Sequence, residues 1–413
     1  MNNALYTAGI RAYGLLLKII RPFHRKAAQS VVGRKDLFLR LQSWRSQHQG
    51  PLLWVHAASL GEFEQGRPII EGLKEQYPQY KILLTFFSPS GYEIRKDYPL
   101  ADGVFYLPLD TPNHAQRWVE ILQPEAAIWV KYEYWANFFF ELKRKEIPII
   151  MVSAIFRPGQ RFFNSNNGFW KKVLQCVDHF FIQNQQSADL LRGIDIHNYT
   201  VAGDTRFDRV VEISDKAEAI DLVEKFVAGR KVVVIGSSYP AEEAIIQDKT
   251  EQWCWIVAPH EINSHRIDSV KARWPKRAML YSQLQAGEAL DGDILIVDNV
   301  GMLSRIYQYS SLTIIGGGFG KGIHNTLEAA VYGQPLVFGP NYQKFDEAIG
   351  LVRVGAAFSA QSFEEFKLIL QKLLNGEEVR QEASKAAKDF VRSGQGAKNH
   401  ILNFLKTRLK HRI

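Results

Sequence analysis

The segment Ile314-Ile-Gly-Gly-Gly-Phe-Gly-Lys-Gly-Ile-His-Asn-Thr-Leu-Glu-Ala-Ala330 carries residue types suited to holding a nucleotide. It reads as a buried strand, a glycine-rich turn and a helix opening at about His324, followed by a second strand after Gly333-Gln-Pro335. Glycines 316, 317, 318 and 320 allow a ligand close to the backbone. The free N–H groups and positive dipole end of the helix then favour a phosphate. No Lys-Ser/Thr follows the turn, as a P-loop requires. Nor does the turn follow a first strand with an acidic residue about 20 residues on, as a dinucleotide fingerprint does. Glu328, one turn beyond Asn325, is spaced to reach ribose hydroxyls. The pattern fits a nucleotide with a ribose and at least one phosphate; the alternative is a glycine turn made for packing alone.

The first half offers acid–base chemistry. His56-Ala-Ala-Ser-Leu-Gly-Glu62 follows the first strand and opens the first long helix, which puts Glu62 at the carboxyl edge of an open sheet, where such sheets bind ligands. A mere helix cap is the competing reading of this carboxylate. Lys131-Tyr-Glu-Tyr-Trp-Ala-Asn137, Ser153-Ala-Ile-Phe-Arg157 and Gly203-Asp-Thr-Arg-Phe-Asp208 reach the same edge with cations at 131, 157 and 206. A carboxylate base ringed by cations suits activation of a hydroxyl beside an anionic donor.

The elements that must position these residues alternate strand and helix, the mark of doubly wound parallel sheets. Strands are predicted at 52–56, 81–86, 103–106, 126–130, 149–153, 179–182 and 199–202, and again at 231–235, 253–258, 277–281, 293–297, 312–315 and 335–338. A charged helix over 214–228 separates the sets, and 362–409 reads as two or three amphipathic helices. With 413 residues and 46% hydrophobic content, two α/β domains are expected, divided as 27–212 and 213–413 after an N-terminal segment 1–26. In that segment Arg11, Lys18, Arg21 and Arg25 form one stripe on a continuous helix, beside Leu5, Leu15, Leu16, Ile19 and Ile20. It is too short and charged for a confident membrane span and suits a helix lying in an anionic headgroup layer. The net charge of +8 agrees with an anionic partner: nucleic acid, acidic lipid or a phosphorylated substrate. Cys176 and Cys254 have no partner pattern, and no cluster has metal-ligand spacing.

In order, these motifs resemble those of the 3-deoxy-D-manno-octulosonic acid (Kdo) transferases, which move Kdo from CMP-Kdo to the lipid A precursor. Family text H-S-V-S-V-G-E is similar to residues 56–62, E-T-E-L-W-P-N to 131–137, S-A-R-L-S-x-R to 153–159 and G-(S/N)-L-K-F-D to 203–208. S-T-H-x-G-E-E resembles Ser237-Ser-Tyr-Pro-Ala-Glu-Glu243, P-R-H-P-E-R is loosely kept from Pro259, and M-G-E becomes Val300-Gly-Met302. G-G-H-N-x-L-E-A-A is nearly intact over 322–330. The resemblance implies a GT-B glycosyltransferase: an α/β protein with two Rossmann-like doubly wound parallel-sheet domains facing a cleft, and an N-terminal membrane-associated helix. The first domain would bind the acceptor and the second CMP-Kdo.

By the same resemblance Glu62 is the general base of an inverting transfer, and Lys131 and Arg206 are the charged pair flanking the reaction centre. Pro259, His260, Val300, Gly301, Met302, Asn325, Thr326, Leu327 and Glu328 would contact CMP. No metal or other cofactor is expected, and no nucleic acid. The partners implied are CMP-Kdo, the lipid A precursor and the anionic cytoplasmic face of a Gram-negative inner membrane. This chain departs from the family at Lys131, where the family has Glu, at Arg206 for Lys, at His260 for Arg, and at Met302, which drops an acidic residue. The runner-up is another GT-B transferase or epimerase using a UDP-sugar. A non-catalytic lipid- or nucleotide-binding module is the third reading.

Overall fold

A computed structural model describes residues 2–131, 133–163, 168–246, 252–288 and 292–409. Tyr132, inside one of the motifs above, lies outside them, as do 410–413. The chain divides into two compact units, residues 1–208 with 395–413, and residues 209–394.

The first unit is built on seven parallel strands: β1 (Leu52–Ala57), β2 (Lys81–Phe86), β3 (Gly103–Tyr106), β4 (Ala126–Val130), β5 (Ile149–Ala154), β6 (His179–Ile182) and β7 (Tyr199–Val201). Their order is β3-β2-β1-β4-β5-β6-β7. Helices cover both faces, so the strands are continuous apolar runs rather than alternating ones; β1, β4 and β5 are buried at every position. One face packs Trp54, Trp118, Trp129 and Phe138, the other Phe63, Ile69, Ile82 and Val130. The order reverses between β1 and β4, which are in register from Leu53 opposite Ala126 to His56 opposite Trp129.

The second unit repeats the plan. It has β8 (Lys231–Ser238), β9 (Trp253–Pro259), β10 (Ala278–Leu280), β11 (Ile294–Ile296), β12 (Leu312–Ile315), β13 (Leu336–Phe338) and β14 (Ala357–Ser359). All are parallel, in the order β10-β11-β9-β8-β12-β13-β14, with the reversal between β8 and β12. The strands predicted from sequence are present, and β14 is an addition. The expected α/β class with two Rossmann-like doubly wound sheets is the observed one.

Four expectations are corrected. The tail does not stay with the second half: the helix Ala397–Arg408 belongs to the first unit, where Ile401, Leu402 and Leu405 are buried in its core. Asp208 caps that helix by accepting the N–H groups of Gly396 (2.8 Å) and Lys398 (3.0 Å). The helix expected over 214–228 is two, Thr205–Asp215 and Asp221–Val227, because Ile220 is buried and its N–H is taken by the Tyr309 hydroxyl. The N-terminal helix Asn3–Ile20 ends before Pro22, and a second begins at Arg25. Arg21 and Arg25 therefore do not continue a stripe with Arg11 and Lys18 on one helix. The helix after the glycine turn opens at Leu327, not His324, and runs only to Ala330.

Candidate active site

In open parallel sheets ligands gather at the carboxyl ends of the strands where the order reverses. In the first unit that place lies between β1 and β4. The loop after β1 ends in Ser59, the N-cap of the helix Leu60–Gln76, and Glu62 is its third residue. Ser59 N–H donates to Glu62 Oε2 (3.0 Å), so the carboxylate does close the helix end. Glu62 is only 8% exposed, and burial raises its pKa against the opposing pull of the Lys131 charge and of donors from Ala58 and Ser59. Lys131 leaves β4 with φ 69°, a left-handed backbone that a lysine adopts only under constraint; its N–H stays on β5 through Val152 O (2.9 Å). Ser153, at the end of β5, is also left-handed at φ 51°. Glu133, two residues beyond Lys131, is pushed up to about 8, by burial first and by the neighbouring Glu62 charge second. The buried indole N–H of Trp135 finds no acceptor in bonding geometry, yet lies close enough to favour the ionised Glu133 weakly.

Arg206 lies elsewhere in this network. Its Nε (2.9 Å) and Nη2 (2.7 Å) both donate to Asp204, a buried carboxylate that also accepts from Gln65 Nε2 (3.1 and 3.0 Å). Burial alone would raise the Asp204 pKa; the Arg206 charge and these hydrogen bonds win and hold it below the usual range. Gln65 is on the Glu62 helix, one turn further, so the pair ties that helix to the loop after β7. Of the expected flanking pair, Lys131 acts on Glu62 and Arg206 pairs with Asp204.

In the second unit the reversal is between β8 and β12. Glu242, at the third position of the short helix Pro240–Glu243 after β8, is buried; one oxygen accepts from Gly317 N–H (3.0 Å) and the other from Tyr239 N–H (3.1 Å). The glycine turn is consequently used differently from the expectation. Gly316 N–H goes to Gly236 O and Gly317 N–H to Glu242, while Gly320 and Gly322 N–H both turn back to Gly317 O. A Cβ on Gly316 would sit 2.0 Å from Ser237 O, and one on Gly318 2.4 Å from Gly339 N. These glycines let the turn close on its own chain, and those four N–H groups are already satisfied without a phosphate.

Asn325 Nδ2 donates to Glu328 Oε1 (2.8 Å), while its Oδ1 accepts from Leu327 N–H (3.0 Å). Thr326 is buried with an unpaired hydroxyl, and Leu327 is core. Pro259 and His260 end β9. Val300, 88% exposed, Gly301 at φ 92° and Met302 form the loop after β11. The rings of Tyr239, His260 and His324 gather at the ends of β8, β9 and β12, with His260 and His324 centroids 4.4 Å apart and Tyr239 stacked 5.2 Å from His260. Burial first, then the nearby His260, pushes the His324 pKa down to about 4, which keeps that ring neutral. Glu133, Glu242, Tyr239 and His324 were not among the site residues read from sequence. Their signal was position: Glu133 follows closely on the end of β4, Tyr239 and Glu242 on the end of β8, and His324 lies in the turn after β12 that the glycines had marked. Among the described residues no group of three His, Cys, Asp or Glu side chains is arranged to hold a metal ion.

Comparison with known proteins matches residues 35–209 to a family model described as 3-deoxy-D-manno-octulosonic-acid transferase (kdotransferase). A 3-deoxy-D-manno-octulosonic acid transferase of Aquifex aeolicus (strain VF5) is 28% identical over 335 residues, 78% of this chain and 86% of that one. One from Bordetella pertussis is 24% identical over 437 residues, 98% of this chain and 99% of its own. Among solved structures, a putative UDP-N-acetylglucosamine 2-epimerase from Listeria monocytogenes superposes with TM-score 0.60 at 13% identity, covering 87% of this chain and 96% of that one. Acinetobacter baumannii MurG gives 0.54 at 14%, covering 87% and 100%. At such identities the structural likenesses show the fold alone, a GT-B architecture.

Proposed function

We infer that this chain, which belongs to the 3-deoxy-D-manno-octulosonic acid transferase family, moves Kdo from CMP-Kdo to the lipid A precursor in lipopolysaccharide synthesis. An acceptor hydroxyl attacks the anomeric carbon of Kdo and gives its proton to Glu62. The new C–O bond forms as the bond to phosphate breaks, the electron pair leaves with CMP, and configuration inverts. The observation that carries this reading is the carboxylate pair at the β1–β4 reversal. Burial lifts the Glu62 pKa toward working pH, which makes it a better base, and Lys131 keeps its ionised form favoured. Glu133, at about 8, carries its proton at neutral pH and leaves Glu62 the anion of the pair.

For the donor, Pro259, His260, Val300, Gly301, Met302 and the Asn325–Glu328 segment are the proposed CMP contacts, with Thr326's unpaired hydroxyl and the exposed faces of Tyr239 and His260 as added binding groups. Arg206 is proposed to act through Asp204, and the reaction to need no metal. For the acceptor and the inner-membrane surface, support comes from the N-terminal helices. Leu5, Leu15, Leu16, Ile19 and Phe23 are 52–91% exposed. A cavity of about 870 Å³ beside them is lined by Lys18, Arg21, Arg34, Lys35 and Arg117 around Leu17, Phe38 and Leu109, with Asp36 the only acidic residue in its lining. That composition suits a phosphate carried on acyl chains. Attachment to the cytoplasmic face is proposed to be peripheral or monotopic; no helix among the described residues is long and apolar enough to cross a membrane.

Incubation with CMP-Kdo and lipid A precursor, followed by mass measurement of the lipid, tests the whole. A gain of one or more Kdo residues is expected, with CMP, and not UDP, raising the melting temperature. An unchanged lipid mass, or stabilisation by UDP alone, would overturn the reading.

A further inference from the structure

The helix Asn3–Ile20 has an inner face with contacts that an anchor does not require. The Tyr6 hydroxyl donates to Asp110 Oδ2 (2.6 Å). The same buried carboxylate accepts the N–H groups of Asn137 (3.0 Å) and Phe138 (2.9 Å), which are the first turn of the helix Ala136–Arg144. Asn137 Nδ2 closes the ring by donating to Asp110 O (2.6 Å) and to the Thr7 hydroxyl (3.3 Å). A second link runs through rings: Tyr13 stacks on Phe87 (6.1 Å), and Phe87 lies 4.5 Å from Trp135. Arg34 holds Phe87 in place, donating to its carbonyl (2.8 Å) with the guanidinium 5.0 Å from the ring.

Both links end at one place, the stretch Trp135–Phe138. Just before it, Lys131, Glu133 and Tyr134 belong to no helix or strand. Apolar burial alone would hold a helix on a domain. Directional hydrogen bonds to a buried carboxylate, converging on a helix N-terminus, instead fix an angle and a distance. Tyr6 and Tyr134 both feel the Glu133 charge, which puts the N-terminal helix within electrostatic reach of that carboxylate.

We propose that the helix Asn3–Ile20 positions the reaction centre, fixing through Tyr6–Asp110–Asn137 and Tyr13–Phe87–Trp135 the loop that sets Glu133 beside Glu62. The inference rests on Glu62 being the base. Tyr6 and Tyr13 are positioning residues: they act through the loop and touch no substrate.

The test uses the full chain carrying Tyr6→Phe or Tyr13→Leu, with saturating CMP-Kdo and detergent-dispersed acceptor. Misplacement remote from the chemistry costs up to about a hundredfold, so each variant should lose roughly ten- to a hundredfold in kcat at unchanged CMP affinity. A loosened loop wets Glu133, whose titratable neighbours are Glu62, Tyr6 and Tyr134. The alkaline limb of the pH–rate profile, set near 8 by Glu133, should therefore move to lower pH in both variants. Wild-type kcat and an unmoved limb in both would overturn the proposal. So would a loss of rate that only tracks a lowered melting temperature with the limb in place. Full activity of Glu62→Gln would instead remove the base assignment itself; an inactive Glu62→Gln beside unaffected tyrosine variants removes the positioning role alone.

Discussion

Glu62 accepts the Ser59 N–H at the start of its helix, and the same carboxylate must be ionised and open to a hydroxyl to act as a base. Glutamine in its place keeps an oxygen for the N–H and loses the basicity. Glu62→Gln is therefore expected to fold normally, bind CMP as before and transfer about 10²–10⁴-fold more slowly, read as kcat. Lys131→Glu, which restores the family residue, should slow turnover here, because a third carboxylate would join Glu62 and Glu133; activity equal to both wild type and Lys131→Ala would mark a tolerant position. Glu133 gives a pH signature. The unfolded chain releases this proton at about 4.5, the folded chain only at about 8, so the stability it contributes is full at low pH and is lost as pH rises toward 8. Glu133→Gln, fixed in the neutral state, should raise the melting temperature relative to wild type at pH 9 and not at pH 5. The positions of Glu62 and Lys131 were legible in the sequence because Glu62 opens the helix after one clear strand and Lys131 directly follows another. The partnership of Glu62 with Glu133 was not, since which strand neighbours β1 depends on the sheet order.

At the scale of elements, the helix Ala397–Arg408 completes a core whose other members come from the first half of the chain. Leu402 sits against Gly72 of the Glu62 helix, where even a Cβ would lie 2.5 Å from its methyl. Truncating a buried leucine typically costs about 2–5 kcal/mol, so Leu402→Ala should lower the melting transition of the first unit by that order in denaturant titration. A transition in the second unit moving by the same amount would contradict the assignment of this helix. The strands were readable because parallel strands buried on both faces are bare apolar runs; β14, only Ala357-Phe-Ser359, is too short for any period to show. The destination of the last helix was not readable, since an amphipathic stripe says that a face is buried and not against what. The glycine turn was readable only in part for a related reason: its spacing tells that the backbone comes close to something, and Ser237, Gly339 and Glu242 are among what it approaches.

For the molecule as a whole, the net charge is +8, and Lys18, Arg21 and Lys35, which make no ion pair among the described residues, line one cavity beside exposed leucines. Binding to anionic liposomes should weaken as salt rises from 0.1 M, with a screening length of about 10 Å, to 1 M, with about 3 Å. It should be reduced further in a Lys18→Glu, Arg21→Glu variant. Flotation that ignores both salt and these charges would show attachment by apolar contact alone. Glu62 and Lys131 in the first unit, and Glu242 and the glycine turn in the second, follow the strands between which the order reverses, which is the one feature of the site that topology alone foretells.

The interrupted first unit also has a history on the ribosome. Residues 1–208 emerge early, yet the face of their sheet that Ile401, Leu402 and Leu405 cover must wait until all of 209–394 has been made. At about 5–20 residues per second that delay is roughly ten to forty seconds. During it the nascent chain carries an uncovered apolar surface, and Asp208 lacks the two N–H groups it will later cap. The contiguous unit 209–394 has no such wait and can fold while its neighbour is still open. The unit that carries Glu62 is thus begun before the second and finished after it, which gives the cell an interval in which a chaperone meets a half-built enzyme.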